Sequence, residues 1–156
     1  MTSERADRDR IEQIAIEYIG TPFHDHGEVK GAGVDCATLL KCIMTEAGVL
    51  KPFKLDHYSP QFFLHQAEER YLGWIKRCGG IEIEQDKAKP GDIVIYKIGL
   101  CYAHAALIVQ PGWPAIIHAH YGSGCVRRDT GTRPRIGRVL GTKFFSLFAT
   151  ATRAAD

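Results

Sequence analysis

The spacing of the apolar residues changes near the middle of the chain, and this change constrains the fold more than any other feature. In the first half, residues such as Ile11, Ile14 and Tyr18 recur at helical spacing. From Ile81 onward, the apolar residues form short runs that are separated by turn residues. Helices followed by successive short strands are typical of an α+β fold with an antiparallel sheet.

Helical spacing and end signals together predict three helices. Asp9 is the expected N-cap of the first helix, and Ser59, followed by Pro60, is the expected start of the third. Glycines follow each predicted helix and end it. A glycine-bearing loop leads from the first helix into the second. The predicted helices cover 9–19, about 36–47 and about 59–78.

The second half of the chain predicts an antiparallel sheet of about five to six strands. A length of 156 residues is that of one domain, which buries roughly two-thirds of its unfolded surface. We therefore expect a single domain over 1–150 and a flexible tail over 151–156. The predicted strands cover 81–84, 93–96, 103–109, 115–120, a segment that begins at 126, and 143–149.

Composition narrows the classes of partner and of environment. The net charge of +2 is close to neutral, so it predicts no nucleic acid and no membrane surface as a partner. The N-terminus lacks the apolar stretch of a signal peptide, and no run reaches the ~20 apolar residues of a membrane helix. Five cysteines cannot form a complete disulfide framework within one chain. We expect a protein that is made in the cytoplasm without a signal peptide and with reduced cysteines.

Cys36 stands where the glycine-bearing loop turns into the second predicted helix. The unpaired N–H groups and the dipole of a helix N-terminus favour a thiolate, which is the nucleophilic form of cysteine. The same N–H groups can stabilise the oxyanion of an acyl-transfer intermediate. The alternative is that Cys36 is a small buried side chain without a chemical role.

A nucleophilic cysteine needs a base, and His104 is the strongest of the seven histidine candidates. It is predicted to begin one strand, and His118 is predicted to end the next. Two adjacent antiparallel strands would place these histidines side by side, so that His118 could fix the tautomer of His104. The alternative is that both are structural histidines.

Three further features have more than one interpretation. Asp35 either caps the helix or contacts a substrate amine, and capping is favoured. His24-x-His26 and His118-x-His120, with Cys36, are an alternative zinc site. The third feature is a basic cluster that either forms a solvated hairpin or touches an anionic wall polymer; its members are Arg127, Arg128, Arg133, Arg135 and Arg138.

Several segments around these residues resemble the NlpC-type cell-wall cysteine peptidases. They occur in the order of that family and together span about Ile11 to Ala119. The segments are Gly20-Thr21-Pro22-Phe23, Gly33-Val34-Asp35-Cys36-Ala37-Thr38-Leu39-Leu40, Pro90-Gly91-Asp92-Ile93-Val94, Ala103-His104-Ala105-Ala106-Leu107-Ile108 and Ile116-Ile117-His118-Ala119.

The resemblance implies a papain-like α+β fold and hydrolysis of peptidoglycan stem peptides, usually between γ-D-glutamate and a diamino acid. It implies Cys36, His104 and His118 as the catalytic residues, no metal and no cofactor. Asp35, Phe23 and His24 are the implied substrate-binding residues. The chain is most similar to single-domain peptidases of phage tails and gene transfer agents, which implies tail proteins as partners and incorporation into a virion or a phage-like tail.

The chain also departs from the family pattern around the nucleophile. Phe23 stands where the family usually has a tyrosine whose hydroxyl lies near the cysteine. His24-Asp25-His26 and Ala37 differ as well. These changes support the alternative that the chain is a non-catalytic tail-tip module with the same fold; an acyltransferase on this fold is also chemically possible.

Overall fold

The helices precede the main sheet along the chain, as the spacing of the apolar residues predicts. The computed structural model describes residues 3–56, 58 and 69–149. The helices within these ranges are α1 (Glu4–Tyr18), α2 (Cys36–Glu46) and α3 (Arg70–Arg77). The strands are β1 (Glu28–Val29), β2 (Gly33–Val34), β3 (Ile81–Ile83), β4 (Ile93–Ile98), β5 (Cys101–Ile108), β6 (Ala115–His120), β7 (Cys125–Thr130) and β8 (Gly141–Ser146).

Six strands form one antiparallel sheet in the order β3-β8-β4-β5-β6-β7. The two short strands β1 and β2 pair with each other in the loop before α2. Strands β4 to β7 follow one another in sequence and in space, which is the meander that short turns between strands favour. The predicted α+β fold with an antiparallel sheet is confirmed.

Apolar residues cover both faces of the central strands. On β5, Ala105 and Leu107 belong to the cluster that the helices complete, whereas Ala106 and Ile108 belong to a second cluster around Trp113. Successive side chains of a strand point to opposite faces, so β5 is buried on both sides. This explains why its sequence is a continuous apolar run and does not alternate.

The first helix is longer than the prediction of 9–19. It begins at Glu4, and the side chain of Ser3 accepts a hydrogen bond from the backbone of the first turn. Asp9 therefore lies inside the helix and is not its N-cap. The added turn is polar and shows no apolar periodicity, but Arg8 anchors it through a 2.9 Å ion pair with Asp92, which is 1% exposed.

Other predicted ends differ by a few residues or lie outside the described ranges. Strand β5 begins at Cys101, two residues before the predicted start, and β8 ends at Ser146 and not at 149. Helix α3 lies within the predicted third helix, whose predicted start at Ser59 is outside the described residues, as is the predicted tail over 151–156. None of the described helices is long and apolar enough to cross a membrane.

Candidate active site

Cys36 is the first residue of α2, and Asp35 is its N-cap. One carboxylate oxygen of Asp35 accepts hydrogen bonds from the backbone N–H groups of Ala37 and Thr38, both at 2.9 Å. The Thr38 hydroxyl accepts in return from the backbone N–H of Asp35 at 2.8 Å. This reciprocal capping satisfies N–H groups that a helix start leaves unpaired and fixes the position of the cysteine.

The second carboxylate oxygen of Asp35 ties the helix start to two other segments. It accepts a hydrogen bond from the backbone N–H of His26 at 2.8 Å and another from the hydroxyl of Tyr58. Asp35 is 3% exposed. Of the two roles that the sequence leaves open, capping is the one that these hydrogen bonds show; contact with a substrate amine stays a prediction.

The Cys36 thiol lies between helix α3 and strand β5. Its Sγ is 2.7 Å from the hydroxyl of Tyr71, which belongs to α3 and is 4% exposed, and the backbone N–H of Ala105 on β5 favours its thiolate form. Phe23 offers no hydroxyl, but Tyr71 supplies one from another part of the chain. In the sequence, Tyr71 belongs to the apolar side of the third predicted helix, where nothing distinguishes it from a core residue.

The surroundings of Cys36 favour its neutral form. Burial, and then the charge of Asp35, raise the pKa of the Cys36 thiol to about 12, although the Tyr71 hydroxyl and the Ala105 N–H act in the opposite direction. The expectation that the helix N-terminus makes Cys36 a thiolate is therefore wrong for the resting protein. Loss of hydration outweighs the hydrogen bonds that favour the thiolate at this position.

Alkylation of Cys36 by iodoacetamide should therefore rise steadily with pH. We expect the rate to increase about tenfold per pH unit between about pH 7 and pH 10, because only the thiolate reacts. Mass spectrometry of the Cys36 peptide measures the rate, with the Cys42 peptide from the same digest as an internal comparison. A rate that is high and constant from about pH 5 to pH 8 would contradict this prediction, since it would reveal a preformed thiolate.

The two predicted histidines are in direct contact. His104 Nε2 lies 2.8 Å from His118 Nδ1, and the ring centroids are 5.0 Å apart. Neither histidine stands at the end of its strand, as was expected. His104 is the fourth residue of β5, which begins two residues before the predicted range, and His118 lies two residues before the end of β6, whose predicted range of 115–120 is confirmed. Within the described residues, Sγ of Cys36 has no hydrogen bond to His104; it contacts Ala105, the next residue along β5.

Strand pairing explains how these rings meet. The ladder between β5 and β6 contains only the pairs Leu107–Ile117 and Ile108–Ile116. At the end that carries His104 and His118, β5 and β6 are not paired with each other, which leaves space between them for both imidazoles. Helix α2 packs against these two strands, and its N-terminal thiol interacts with the backbone of Ala105, the neighbour of His104 on β5.

A carboxylate extends this arrangement beyond the three predicted residues. His118 Nε2 lies 3.1 Å from Oδ2 of Asp129 on β7, and the two side chains are 0% and 6% exposed. Sequence reasoning missed Asp129 because it lies within the basic cluster, which was interpreted as a solvated hairpin. A carboxylate directly after two arginines is too common a pattern to identify it.

Both histidines are neutral near neutral pH. Burial lowers the pKa of His118 to about 4, although the charge of Asp129 and its hydrogen bond act against this shift. Burial, followed by the neighbouring His118 and His120, lowers the pKa of His104 well below its ordinary value. The resting site is thus a thiol with two neutral imidazoles.

The buried histidines should make the fold less stable in mild acid. His118 titrates near 6.5 when unfolded and about 4 when folded, so the unfolded chain binds more protons between these values. The contribution of neutral His118 to the free energy of unfolding is therefore fully present above about pH 6.5. The free energy of unfolding should fall by about 1 kcal/mol per pH unit from there towards pH 4. Urea unfolding at several pH values measures this slope. His118→Gln should reduce this slope, and an unchanged slope in that variant would contradict the assignment.

Phe23 and His24 lie on the loop before α2, beside the helix start. Phe23 is partly buried, and its ring packs edge-to-face on Tyr121 at 5.7 Å. His24 is exposed, and its Nδ1 contacts the carbonyl of Asp25 at 3.0 Å. Their predicted substrate-binding roles stay predictions. His26, at a φ of 62°, contacts the carbonyl of Tyr58 through Nε2 at 2.8 Å.

The alternative of a zinc site has no geometric support in the part of the chain that the structure describes. Within it, no three or more histidine, cysteine, aspartate or glutamate side chains are arranged to hold a metal ion. His118 Nδ1 and Nε2 both have hydrogen-bond partners, His104 and Asp129.

Solved structures share this fold. The NlpC/p60 domain of the peptidoglycan hydrolase SagA matches with a TM-score of 0.59 and 18% identity, over 88% of this chain and 96% of that one. The peptidoglycan hydrolase RipB of Mycobacterium tuberculosis matches with a TM-score of 0.62 and 18% identity, over 94% and 67%. NlpC1 from Trichomonas vaginalis matches with a TM-score of 0.63 and 14% identity, over 94% of this chain and 47% of that one.

No family model matches the chain, and no curated protein matches it significantly. The likeness is therefore one of three-dimensional structure at low sequence identity, and it extends over most of this chain and of the SagA domain. The described helices and the antiparallel sheet have the same α+β arrangement as these structures. This chain has the fold of the NlpC/p60 domains.

Proposed function

We propose that this protein is a peptidoglycan hydrolase, a cysteine endopeptidase that cleaves stem peptides with Cys36 as its nucleophile. The observation that carries the proposal is the hydrogen bond between His104 and His118, on the strand whose backbone contacts the Cys36 thiol. A thiol at a helix start beside an oriented histidine is the arrangement that acyl transfer requires. Two structures with the same fold, SagA and RipB, are named as peptidoglycan hydrolases.

The reaction begins with a neutral thiol and a neutral base. His104 takes the proton of Cys36 as the thiolate attacks the scissile carbonyl, so the ion pair forms during the reaction and is absent at rest. The Tyr71 hydroxyl, 2.7 Å from Sγ, stabilises the thiolate by donating a hydrogen bond. The contact between a catalytic base and its nucleophile often tightens only when substrate binds, which is consistent with the missing Cys36–His104 hydrogen bond.

The remaining steps release the two halves of the substrate. The backbone N–H of Cys36, at the N-terminus of α2, stabilises the oxyanion of the tetrahedral intermediate. His104 then protonates the leaving amine, and water hydrolyses the thioester that remains on Cys36. We propose the bond between γ-D-glutamate and a diamino acid as the scissile bond, on the resemblance of the sequence motifs.

Digestion of purified peptidoglycan tests this function. Mass spectrometry of the soluble fragments should show two kinds of product, one that ends at γ-D-glutamate and one that begins with the diamino acid. Cleavage at another bond would overturn the bond assignment and retain the hydrolase. If the wild type releases no fragments from several peptidoglycan types, the hydrolase is wrong and a non-catalytic module is favoured, which the raised pKa of Cys36 would also suit.

We further propose that the protein acts as a component of a phage tail or gene-transfer-agent tail, which would bring it to the cell wall. This proposal rests on the resemblance of the sequence motifs. Proteomic analysis of purified particles from the producing cells tests it. The protein should sediment with tail proteins, and its complete absence from intact particles would contradict the tail role without affecting the hydrolase.

A further inference from the structure

We propose that Asp129 is a positioning residue of this site, which sets the tautomers of His118 and His104 and leaves Nδ1 of His104 free to accept the proton of Cys36. The inference deepens the proposed function and rests on it for its catalytic consequence. Its structural content, the location of the ring protons, can be measured without any activity.

The geometry allows one proton arrangement for two neutral rings. An ionised carboxylate only accepts hydrogen bonds, so Nε2 of His118 must carry the proton that points to Asp129, 3.1 Å away. Nδ1 of His118 then has a lone pair and accepts from Nε2–H of His104, 2.8 Å away. A neutral imidazole has one N–H, so Nδ1 of His104 is unprotonated.

Asp129 is kept ionised and fixed in place by backbone N–H groups that follow it in the chain. Oδ1 accepts from the backbone N–H of Thr130 at 2.8 Å, and Oδ2 accepts from that of Arg135 at 3.1 Å. Burial acts to raise the pKa of Asp129, but these N–H groups and His118 outweigh it and hold the carboxyl below its usual pKa. The carboxylate is therefore ionised and oriented to accept a hydrogen bond from Nε2–H of His118.

The segment that follows Asp129 is anchored to the body of the protein. The carbonyl of Gly131 accepts from the hydroxyl of Tyr96 at 2.7 Å, and the Trp113 indole N–H donates to the same hydroxyl at 2.9 Å. A Cβ on Gly131 would lie 2.1 Å from the Trp113 carbonyl, so only glycine permits this approach. The backbone that orients the carboxylate is consequently held by buried contacts.

The charged and titratable groups around His118 come from three strands. His104 faces it from β5, His120 stacks beside it on β6 with ring centroids 6.0 Å apart, and Arg127 and Asp129 face it from β7. Among these, Asp129 is the negative group in hydrogen-bond contact. When Cys36 transfers its proton to Nδ1 of His104, the new positive charge is stabilised through His118 by this carboxylate.

Nuclear magnetic resonance of the histidine ring nitrogens tests the proton arrangement in the resting protein. Long-range proton–nitrogen spectra of the ¹⁵N-histidine-labelled wild type distinguish the protonated from the unprotonated nitrogen of each ring. We expect His118 and His104 both to carry their proton on Nε2. A proton on Nδ1 of either ring would overturn the proposal, and this measurement does not depend on a stable variant or on hydrolysis.

Asp129→Asn tests the consequence for catalysis. Asparagine keeps the shape but has one acceptor oxygen for the donors that the carboxylate now accepts, namely His118 Nε2 and the backbone N–H groups of Thr130 and Arg135. We expect kcat for peptidoglycan cleavage to fall about 10²-fold with little change in KM, and the His118 tautomer to become mixed. The exposed Asp86→Asn is the matched control.

The outcomes separate the two proposals. Unchanged kcat and unchanged ring nitrogens in a folded Asp129→Asn would overturn the role of Asp129, even if the wild type is a hydrolase. A higher KM without a change in kcat or in the His118 tautomer would also overturn it. A wild type that shows the expected tautomers but cleaves nothing would overturn the proposed function alone, and the proton arrangement would stand.

Discussion

Cys36→Ala should abolish the release of peptidoglycan fragments, with a loss of at least about 10³-fold in kcat/KM. The reason is that alanine cannot form the thioester, and no other described cysteine shares the position of Cys36. The substitution removes one sulfur atom from a partly exposed residue, so the fold should persist. The measurement is the initial rate of fragment release, followed by mass spectrometry.

Cys42 provides the matched control for this prediction. It lies on the same helix, and its Sγ contacts the carbonyl of Glu28 at 3.7 Å, away from the histidine pair. Cys42→Ala should retain the wild-type rate within about twofold, as expected for a substitution outside the reacting groups. Equal fragment release from Cys36→Ala and the wild type would contradict the nucleophile, because the observed cleavage would then need a different group.

Asp35→Ala should lower the free energy of unfolding by roughly 2–4 kcal/mol. The substitution removes the cap of α2, which alone contributes about 1 kcal/mol. It also leaves the buried hydroxyl of Tyr58 and the backbone N–H of His26 without the acceptor that they share. The buried Tyr58 hydroxyl without a partner adds about 1–3 kcal/mol to the cost, whereas water can replace the acceptor at the exposed residue His26. Urea unfolding monitored by tryptophan fluorescence measures the change.

Asp35→Asn separates capping from a substrate role. Asparagine caps helices about as well as aspartate, so this variant should keep most of the stability that Asp35→Ala loses. It removes the negative charge that would attract a substrate amine. Two results together would contradict capping as the main role of Asp35: a stability of Asp35→Ala equal to that of the wild type, and a strongly raised KM of Asp35→Asn. They would favour contact with a substrate amine.

The sheet was largely predictable because local signals mark its strands. Strand β6 agrees with the predicted range of 115–120 at both ends, since an apolar run lies between turn residues on each side. The start of α1 was not predictable from apolar spacing, because its first turn is polar. What stabilises that turn is the contact of Arg8 with Asp92, which is far away in sequence.

The pairing of His104 with His118 was predictable only in outline. Adjacent antiparallel strands bring the two histidines to one end of the sheet, and the sequence indicates that much. If the β5–β6 register continued past Leu107–Ile117, however, His104 would lie opposite His120. The ladder stops before that point, and the ring that His104 contacts through a hydrogen bond is that of His118.

By itself, the sequence determined the α+β class, the helix start at Cys36 and the candidate histidines, because periodicity, turn residues and caps are local in the chain. The tertiary structure alone decided that Tyr71 covers the thiol, that Asp129 holds His118, and that Cys36 rests as a thiol. These features depend on burial and on contacts between residues far apart in sequence. Loss of hydration and hydrogen-bond geometry act only once the chain has folded, and no local pattern encodes them.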